Sequence, residues 1–251
     1  MDLGLHDRVF VVTGGSRGIG RATADALVAE GARVVLSART PESVDTAVDA
    51  LGDAAVGVVA DLADPTTPQR LVDTAHERFG RLDGALLSVG GPPAGTVLET
   101  SDETWVRAFE TVFLGTLRAA RTVTAALGDG GSVALVLSTS VRSPLANLAI
   151  SNGLRPGLGM LVKTLADEVG PRGVRVNAVL PGRIDTERLV ELDGATPDPA
   201  RTRREHEAGI PLRRYGQPEE LGRVAAFLLS PAASYVTGTM VPVDGGVHRT
   251  L

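Results

Sequence analysis

Short apolar runs alternate with amphipathic stretches along most of the chain. The apolar runs are rich in β-branched residues, as in strands that are buried on both faces of a parallel sheet. This pattern predicts strands at Val9–Val12, Arg33–Ala38, Ala55–Ala60, Leu82–Val89, Val133–Leu137, Val174–Leu180 and Thr239–Val243. Helical periodicity predicts helices at Ile19–Glu30, Pro41–Leu51, Pro68–Phe79, Thr100–Leu127, Ser151–Val169 and Pro218–Leu229.

Repeated β–α units predict a single α/β domain, a Rossmann-type doubly wound parallel sheet with helices on both faces. The 251 residues fit one such domain, and no linker or internal repeat divides them. Ligands of such sheets bind beyond the carboxyl ends of the strands. The stretch from Arg183 to Pro211 is polar and is expected to be irregular. We expect a lid over the crevice, at about residues 183–215, called the lid segment below.

Composition narrows the possible partners to a small-molecule substrate. The chain has no cysteine, and its 4 histidines are scattered like surface residues, so we expect no metal site. The net charge is −5 and no basic stripe occurs, which argues against nucleic acid. No apolar run approaches the ~18 residues of a membrane span. The polar start, residues 1–7, lacks the apolar core of a signal peptide, so a cytoplasmic location is expected.

A glycine-rich turn directly follows the first predicted strand and leads into a helix. Glycine backbones can turn tightly and approach a pyrophosphate, and a helix N-terminus offers free N–H groups to it. The sequence therefore predicts a dinucleotide site. The residues expected to hold the pyrophosphate are Gly14, Ser16, Arg17, Gly18, Ile19 and Gly20.

The end of the second strand indicates which dinucleotide binds. NAD-binding folds usually place an acid there for the ribose hydroxyls, but residues 37–40 contain none. Arg39 and Arg17 can instead clamp a 2′-phosphate through charge-assisted hydrogen bonds. NADP is favoured and NAD remains possible, because both side chains can equally be solvated arginines of an arginine-rich chain.

Several motifs occur in the order found in one enzyme family. Thr13–Gly20 resembles a TGxxxGxG turn, and Asn177–Thr186 resembles an N-A-V-x-P-G-x-x-x-T stretch. With Asp61-Leu62 and the C-terminal Val243–Gly246, the chain resembles short-chain dehydrogenase/reductases over essentially its whole length. The resemblance implies a homo-oligomer (tetramer or dimer) that pairs through the helices bearing Phe109 and Leu161. It also implies further cofactor contacts from Asp61, Leu62, Gly90, Arg155, Pro181, Gly182, Ile184 and Thr186.

The catalytic set of that family is Asn, Ser, Tyr and Lys. Counting along the chain places these positions at Val112, Ser138, Ser151 and Arg155, with Ser140 as a rival for the serine. This pattern resembles an atypical subgroup related to 3-oxoacyl-[acyl-carrier-protein] reductase, with a degenerate catalytic tetrad. Arg155 is expected to contact the ribose or polarise a substrate oxygen, since a guanidinium does not shuttle protons.

Pro156 disturbs the helix on which two of these positions lie. Proline removes an N–H and crowds the preceding turn, so the helix is expected to kink or to begin near Arg155. In either case Ser151 and Arg155 need not share a face.

Three functions remain open at this point. The first is an NADP-dependent oxidoreductase of carbonyl or hydroxyl compounds, with a proton from water or from Asp185, Glu187 or His206 of the lid segment. The second is a non-catalytic nucleotide-binding sensor or partner subunit. The third is another reaction on the same scaffold, such as elimination or isomerisation.

Overall fold

The computed structural model describes residues 2–249, which build a sheet of seven parallel strands between two layers of helices. The strands are β1 (Val9–Thr13), β2 (Arg33–Ala38), β3 (Ala55–Val59), β4 (Gly84–Leu87), β5 (Ser132–Val136), β6 (Arg175–Pro181) and β7 (Met240–Val243). The helices are α1 (Gly18–Ala29), α2 (Pro41–Leu51), α3 (Thr67–Phe79), α4 (Asp102–Ala108), α5 (Gly115–Ala126), α6 (Ala149–Val169), α7 (Glu187–Gly194), α8 (Pro199–Gly209) and α9 (Pro218–Leu229).

The strand order is β3-β2-β1-β4-β5-β6-β7, and all neighbours pair in parallel. The chain therefore winds outward in one direction from β1 to β3 and then, from β4, in the other. The prediction of a doubly wound parallel sheet is confirmed. The direction changes between β1 and β4, and ligands of such sheets bind outside the carboxyl ends of the strands at this switch point.

Alternate side chains of the strands fill two apolar layers. On β1, Val9 and Val11 face the layer that includes α3, α5 and α6, whereas Phe10 and Val12 face the layer of α1, α2 and α9. Every residue of β1 is buried. Because both faces are covered, a ligand can reach the central strands only at their ends.

The lid segment contains two helices, so the prediction of an irregular stretch from Arg183 to Pro211 is wrong. α7 and α8 lie within it. α8 is polar on every side and shows no apolar periodicity. Asp198 caps it, and ion pairs at i,i+4 spacing join Arg201 to Glu205 and Arg203 to Glu207. A polar helix held by such pairs is stable without an apolar stripe.

The prediction that the helix begins near Arg155 is wrong: α6 begins at Ala149 and continues through Pro156 to Val169. The side chain of Asn152 accepts from the Leu145 N–H at 2.9 Å and donates to the Leu145 carbonyl at 2.8 Å. These bonds anchor the first turns despite the hydrogen bond that proline removes. Ser151 and Arg155 therefore lie one turn apart on one face, and both are buried.

Two further observations concern residues 2–249 as a whole. No helix in this range is both long and apolar enough to cross a bilayer. The same residues contain no group of three or more acidic or histidine side chains arranged to hold a metal ion.

Candidate active site

The glycine-rich turn is fastened to the end of β4. The Thr13 hydroxyl donates to the Ser88 carbonyl at 2.8 Å and accepts from the Ser88 N–H at 2.8 Å. Gly14 has φ +59°, and a Cβ there would lie 2.9 Å from the Ser88 carbonyl oxygen. Gly20 packs directly on the Gly14 carbonyl, which also leaves no space for a side chain. Glycine is required at both positions to form one wall of the crevice.

No side chain of the described residues caps the start of α1, so its free N–H groups are available to an anion. The residue before α1, Arg17, provides no capping acceptor, and the first turn contains no acid. Ser101 caps α4 and Asp198 caps α8 through their side chains, whereas α3 and α6 begin without a cap or an acid, as α1 does. What sets α1 apart is the glycine-rich turn that precedes it. The N–H groups of the first turn of α1 have the positive end of the helix dipole behind them. A pyrophosphate of a dinucleotide supplies the missing acceptors.

The two arginines predicted for a 2′-phosphate differ in their surroundings. Arg39 is exposed at the end of β2 and has no ion-pair partner among residues 2–249. Arg17 donates to Glu187 at 2.6 Å. Asp61 is exposed and accepts from the Ala63 N–H, whereas the side chain of Leu62 is buried in the core. A ligand at Leu62 can therefore meet only its backbone.

The loop after β5 brings three hydroxyl groups together. The Ser140 Oγ lies 3.0 Å from the Ser151 Oγ, and both side chains are buried. The Ser138 Oγ, at the end of β5, accepts from the Ser140 N–H at 3.1 Å and is less buried. The rival serine is thus the one in contact with Ser151. Because Ser138 acts as an acceptor within the chain, its own hydrogen remains available to a ligand.

Arg155 is a buried cation without a carboxylate partner in the described part of the chain. It is 5% exposed, and its hydrogen bonds run from Nη1 alone, to the carbonyls of Val136 at 2.9 Å and Leu137 at 2.6 Å. Burial lowers the pKa of Arg155 to about 10, so the guanidinium is charged at neutral pH. Its Nε and Nη2 groups are left for a ligand or water.

A second buried arginine, at the opposite end of the sheet, shows what a purely structural guanidinium looks like. Arg175 is 7% exposed, and both of its Nη atoms are used. They donate to the carbonyls of Leu228, Leu229, Ser230 and Val236, of which the first three end α9. Arg175 therefore caps a helix with its whole fork. Arg155 uses only part of its fork in this way.

The Asn position of the family falls on a π-helical turn. Residues Phe109–Leu114 form this turn between α4 and α5, and Val112 within it is 2% exposed. Such turns are frequent at functional sites. A buried valine offers no hydrogen bond there.

The chain after β6 forms the opposite wall of the crevice. The Gly182 N–H donates to the Val243 carbonyl, and a Cβ at Gly182 would lie 2.6 Å from the Asp244 Cα. The Ile184 side chain is buried, so only its backbone is available to a ligand. Thr186 lies beside the glycine-rich turn, 3.4 Å from where a Gly18 Cβ would be. Pro181 ends β6, and Gly90 is exposed after β4.

The first turn of α7 contacts both loops across the crevice, which the sequence did not reveal. Glu187 pairs with Arg17, and Arg188 Nη2 donates to the Pro92 carbonyl at 2.7 Å. Alternating charges in a polar segment give no signal of such long-range partners. The lid segment therefore connects the loops that follow β1 and β4.

The side chains of the lid segment expected to replace the missing acid are engaged elsewhere. Asp185 receives both Nη groups of Arg203, at 3.1 and 2.7 Å. His206 lies between Arg183 and Tyr215, and burial, with the Arg183 charge, lowers its pKa. Burial, together with the hydrogen bond to Asp193, raises the pKa of Tyr215 to about 12. Neither ring is suited to deliver a proton at neutral pH.

His248 differs from its prediction as a surface histidine. Its side chain is only 9% exposed, and neither ring nitrogen has a hydrogen-bond partner in residues 2–249. Asp244 accepts from the His248 backbone N–H at 2.9 Å, while its carboxylate lies 3.6 Å from the imidazole Nδ1. One histidine in a glycine-rich tail has no periodicity that would have revealed this burial.

Known proteins resemble this chain over almost its entire length. A family model described as enoyl-(acyl carrier protein) reductase matches residues 14–248. A 3-oxoacyl-[acyl-carrier-protein] reductase from Vibrio cholerae is 30% identical, over 98% of this chain and 99% of that protein. The structure of L-sorbose reductase from Gluconobacter frateurii, complexed with NADPH and L-sorbose, has a TM-score of 0.92 at 31% identity and covers 100% of both chains.

A second similar structure is described by the character of its active site. It is a short-chain oxidoreductase from Pseudomonas aeruginosa described as containing an atypical catalytic center. It superposes with a TM-score of 0.91 at 30% identity, over 100% of both chains. The similarity therefore includes the crevice and the lid segment as well as the sheet.

Proposed function

The chain belongs to the short-chain dehydrogenase/reductase family of oxidoreductases, and we propose that it transfers a hydride between NADP and a carbonyl or hydroxyl compound. The observation that carries this proposal is the start of α1, which has no capping side chain and no acid and follows a glycine-rich turn at the switch point of the sheet. The proposed reaction is similar to that of 3-oxoacyl-[acyl-carrier-protein] reductases.

The same crevice supports NADP over NAD. When bound, the reduced nicotinamide supplies the hydride. Arg39 and Arg17 would take the 2′-phosphate, and the absence of an acid in residues 37–40 favours it. The NADPH described for the sorbose reductase supports the same choice. The remaining contacts are assigned to Gly14, Ser16, Gly18, Ile19, Gly20, Asp61, Leu62, Gly90, Pro181, Gly182, Ile184 and Thr186.

Ser138 and Arg155 would stabilise the reacting oxygen. The Ser138 hydroxyl has a free hydrogen to donate to the substrate oxygen, because its Oγ already accepts from the Ser140 N–H. The buried charge of Arg155 favours negative charge that develops nearby, and a low-dielectric site strengthens this effect. Ser151 contributes indirectly, by holding Ser140 beneath the loop.

Water is the proposed proton source. A serine hydroxyl at position 151 is a far weaker acid than the family tyrosine, and this one is already paired with Ser140. Of the acids proposed in the lid segment, Asp185 is held by both Nη groups of Arg203.

A paired titration and turnover assay tests this function. NADPH and NADH are titrated into the purified protein by quenching of its single tryptophan, and consumption of each cofactor is then followed with activated ketones. We expect NADPH to bind more tightly than NADH and to be oxidised slowly. Absence of binding by either cofactor at millimolar supply contradicts the proposal.

The second candidate is a non-catalytic NADP-binding sensor or partner subunit. It is favoured by the burial of Ser151 against Ser140, which leaves no strong acid at the position of the family tyrosine. The double substitution Ser151→Tyr/Arg155→Lys separates the two candidates. Because both positions lie on one face of α6, an aligned scaffold gains turnover, whereas a site without a substrate pocket gains none.

We also propose a homo-oligomer, a tetramer or dimer, formed through α4 to α6. Val106 on α4, Phe109 in the π-helical turn after it and Met160 on α6 are 58%, 40% and 63% exposed. Soluble monomers rarely expose large clusters of such apolar side chains. Sedimentation at micromolar concentration tests this state, and a monomer contradicts it.

A further inference from the structure

One ion pair crosses the dinucleotide crevice from the glycine-rich turn to the lid segment. Arg17 Nη1 lies 2.6 Å from Glu187 Oε2. The backbone brings the two residues together, because Thr186 packs beside Gly18 and each is the immediate neighbour of one partner. The pair therefore forms between two segments that already lie close to each other.

The residue after Glu187 attaches the lid segment to the other side of the crevice. Arg188 donates to the Pro92 carbonyl at 2.7 Å, and its guanidinium passes close to Gly91. The first turn of α7 is thus bound to the loops after both β1 and β4. Whatever takes Arg17 away from Glu187 removes one of these two attachments.

We infer that Glu187 is an internal competitor for Arg17 that lowers the affinity for a cofactor with a 2′-phosphate and so weakens the preference for NADP over NAD. This inference rests on the proposed function. A phosphate monoester carries about −1.5 to −2 charges near neutral pH and recruits guanidinium groups by charge-assisted hydrogen bonds. Glu187 must release Arg17 for this, so binding of the phosphate costs the ion pair.

NAD makes no such demand on the pair. Without a 2′-phosphate, Arg17 keeps Glu187, and both attachments of α7 remain. Arg39, which has no acidic partner in the described residues, still favours the phosphorylated cofactor. Glu187 therefore reduces the preference for NADP without abolishing it.

The exposure of the two side chains sets the size of the effect. The Arg17 and Glu187 side chains are 61% and 65% exposed. Exposed ion pairs of this kind change equilibria by roughly two- to fivefold. Salt screens them, so the effect is expected to be largest at low ionic strength.

The test compares the affinities for NADPH and NADH of the native protein and of Glu187→Gln, measured by calorimetric titration at low and high salt. We expect the NADPH Kd to fall roughly two- to fivefold at low salt and the NADH Kd to stay unchanged. Glu191→Gln is the matched control. It removes the same charge one turn further along α7, where Glu191 lies 3.5 Å from Arg188, and neither Kd should change.

A double-mutant cycle assigns the effect to the pair. In an Arg17→Gln background, Glu187→Gln should no longer alter the NADPH Kd. Equal tightening of both cofactors overturns the inference, because Arg17 then serves the shared pyrophosphate. No change for either cofactor also overturns it while leaving the proposed function intact. Failure of the native protein to bind either cofactor instead refutes the proposed function, and the inference with it.

Discussion

Replacing Arg155 by methionine separates a catalytic charge from a structural one. Methionine retains an unbranched apolar chain of similar length but removes the guanidinium that lies beneath the Ser138 loop. If the charge stabilises the reacting oxygen, hydride transfer slows while the fold persists. If the charge only supports the loop, the fold weakens and the chemistry of the folded molecules is unchanged.

The two contributions to stability at Arg155 oppose each other. Burial lowers its pKa from 12.5 to about 10, which corresponds to about 3 kcal/mol of desolvation. The hydrogen bonds to the Val136 and Leu137 carbonyls offset this cost, at roughly 1.5 kcal/mol or more each. We therefore expect Arg155→Met to change the free energy of unfolding by less than about 2 kcal/mol. Loss of an electrostatic stabiliser should lower kcat by roughly 100- to 1000-fold.

Arg175→Met is the matched control for this experiment. Arg175 is also buried and also lacks a carboxylate at its fork, but it uses both Nη atoms to cap α9. Its removal takes a donor from the Leu228 carbonyl, whereas the Leu229, Ser230 and Val236 carbonyls keep donors from Ser132, Ala233 and Asn177. The loss should cost roughly 1–3 kcal/mol. The kcat of the folded protein should remain unchanged. Urea denaturation supplies the stabilities, and stopped-flow oxidation of NADPH supplies the rates. Unchanged kcat with a large loss of stability for Arg155→Met would refute the reasoning.

Three other perturbations have defined outcomes. Ser138→Ala should lower kcat by roughly 100-fold. Ser140→Ala should lower kcat much less, because the Ser140 hydroxyl acts only through its contact with Ser151. Steady-state assays of both variants test this difference. The rate of ketone reduction should be flat from about pH 7 to pH 9 and then fall as the buried guanidinium, with its pKa of about 10, loses its proton; a titration near neutrality would instead indicate another acid. Tyr215→Phe leaves the buried Asp193 without its 2.8 Å donor and should destabilise the lid segment by about 1–2 kcal/mol, seen as faster limited proteolysis with an unchanged NADPH Kd.

The sequence was sufficient to predict the sheet because its signals are local. β1 reads as an unbroken apolar run, and the glycines after it allow few conformations other than a tight turn. The order of strands and helices follows from the same alternation. The structure and the comparisons therefore confirm the predicted family and the doubly wound topology.

The errors arise where distant partners decide the structure. α8 has no apolar stripe, but Asp198 followed by Pro199 is a helix start that the sequence does contain. Pro156 predicts a break, yet the Asn152 side chain binds the Leu145 backbone and holds α6 together. The Arg17–Glu187 contact joins residues far apart in the chain, and no periodicity encodes it.

Transfer of an isotopic label tests the central claim most directly. NADPH that carries deuterium at the transferring carbon is mixed with the native protein and a panel of activated ketones, and the alcohols are examined by mass spectrometry. The account predicts alcohol with one deuterium on the former carbonyl carbon, formed at a rate that depends on Ser138 and Arg155. Tight binding of NADPH with no labelled alcohol from any ketone would contradict it.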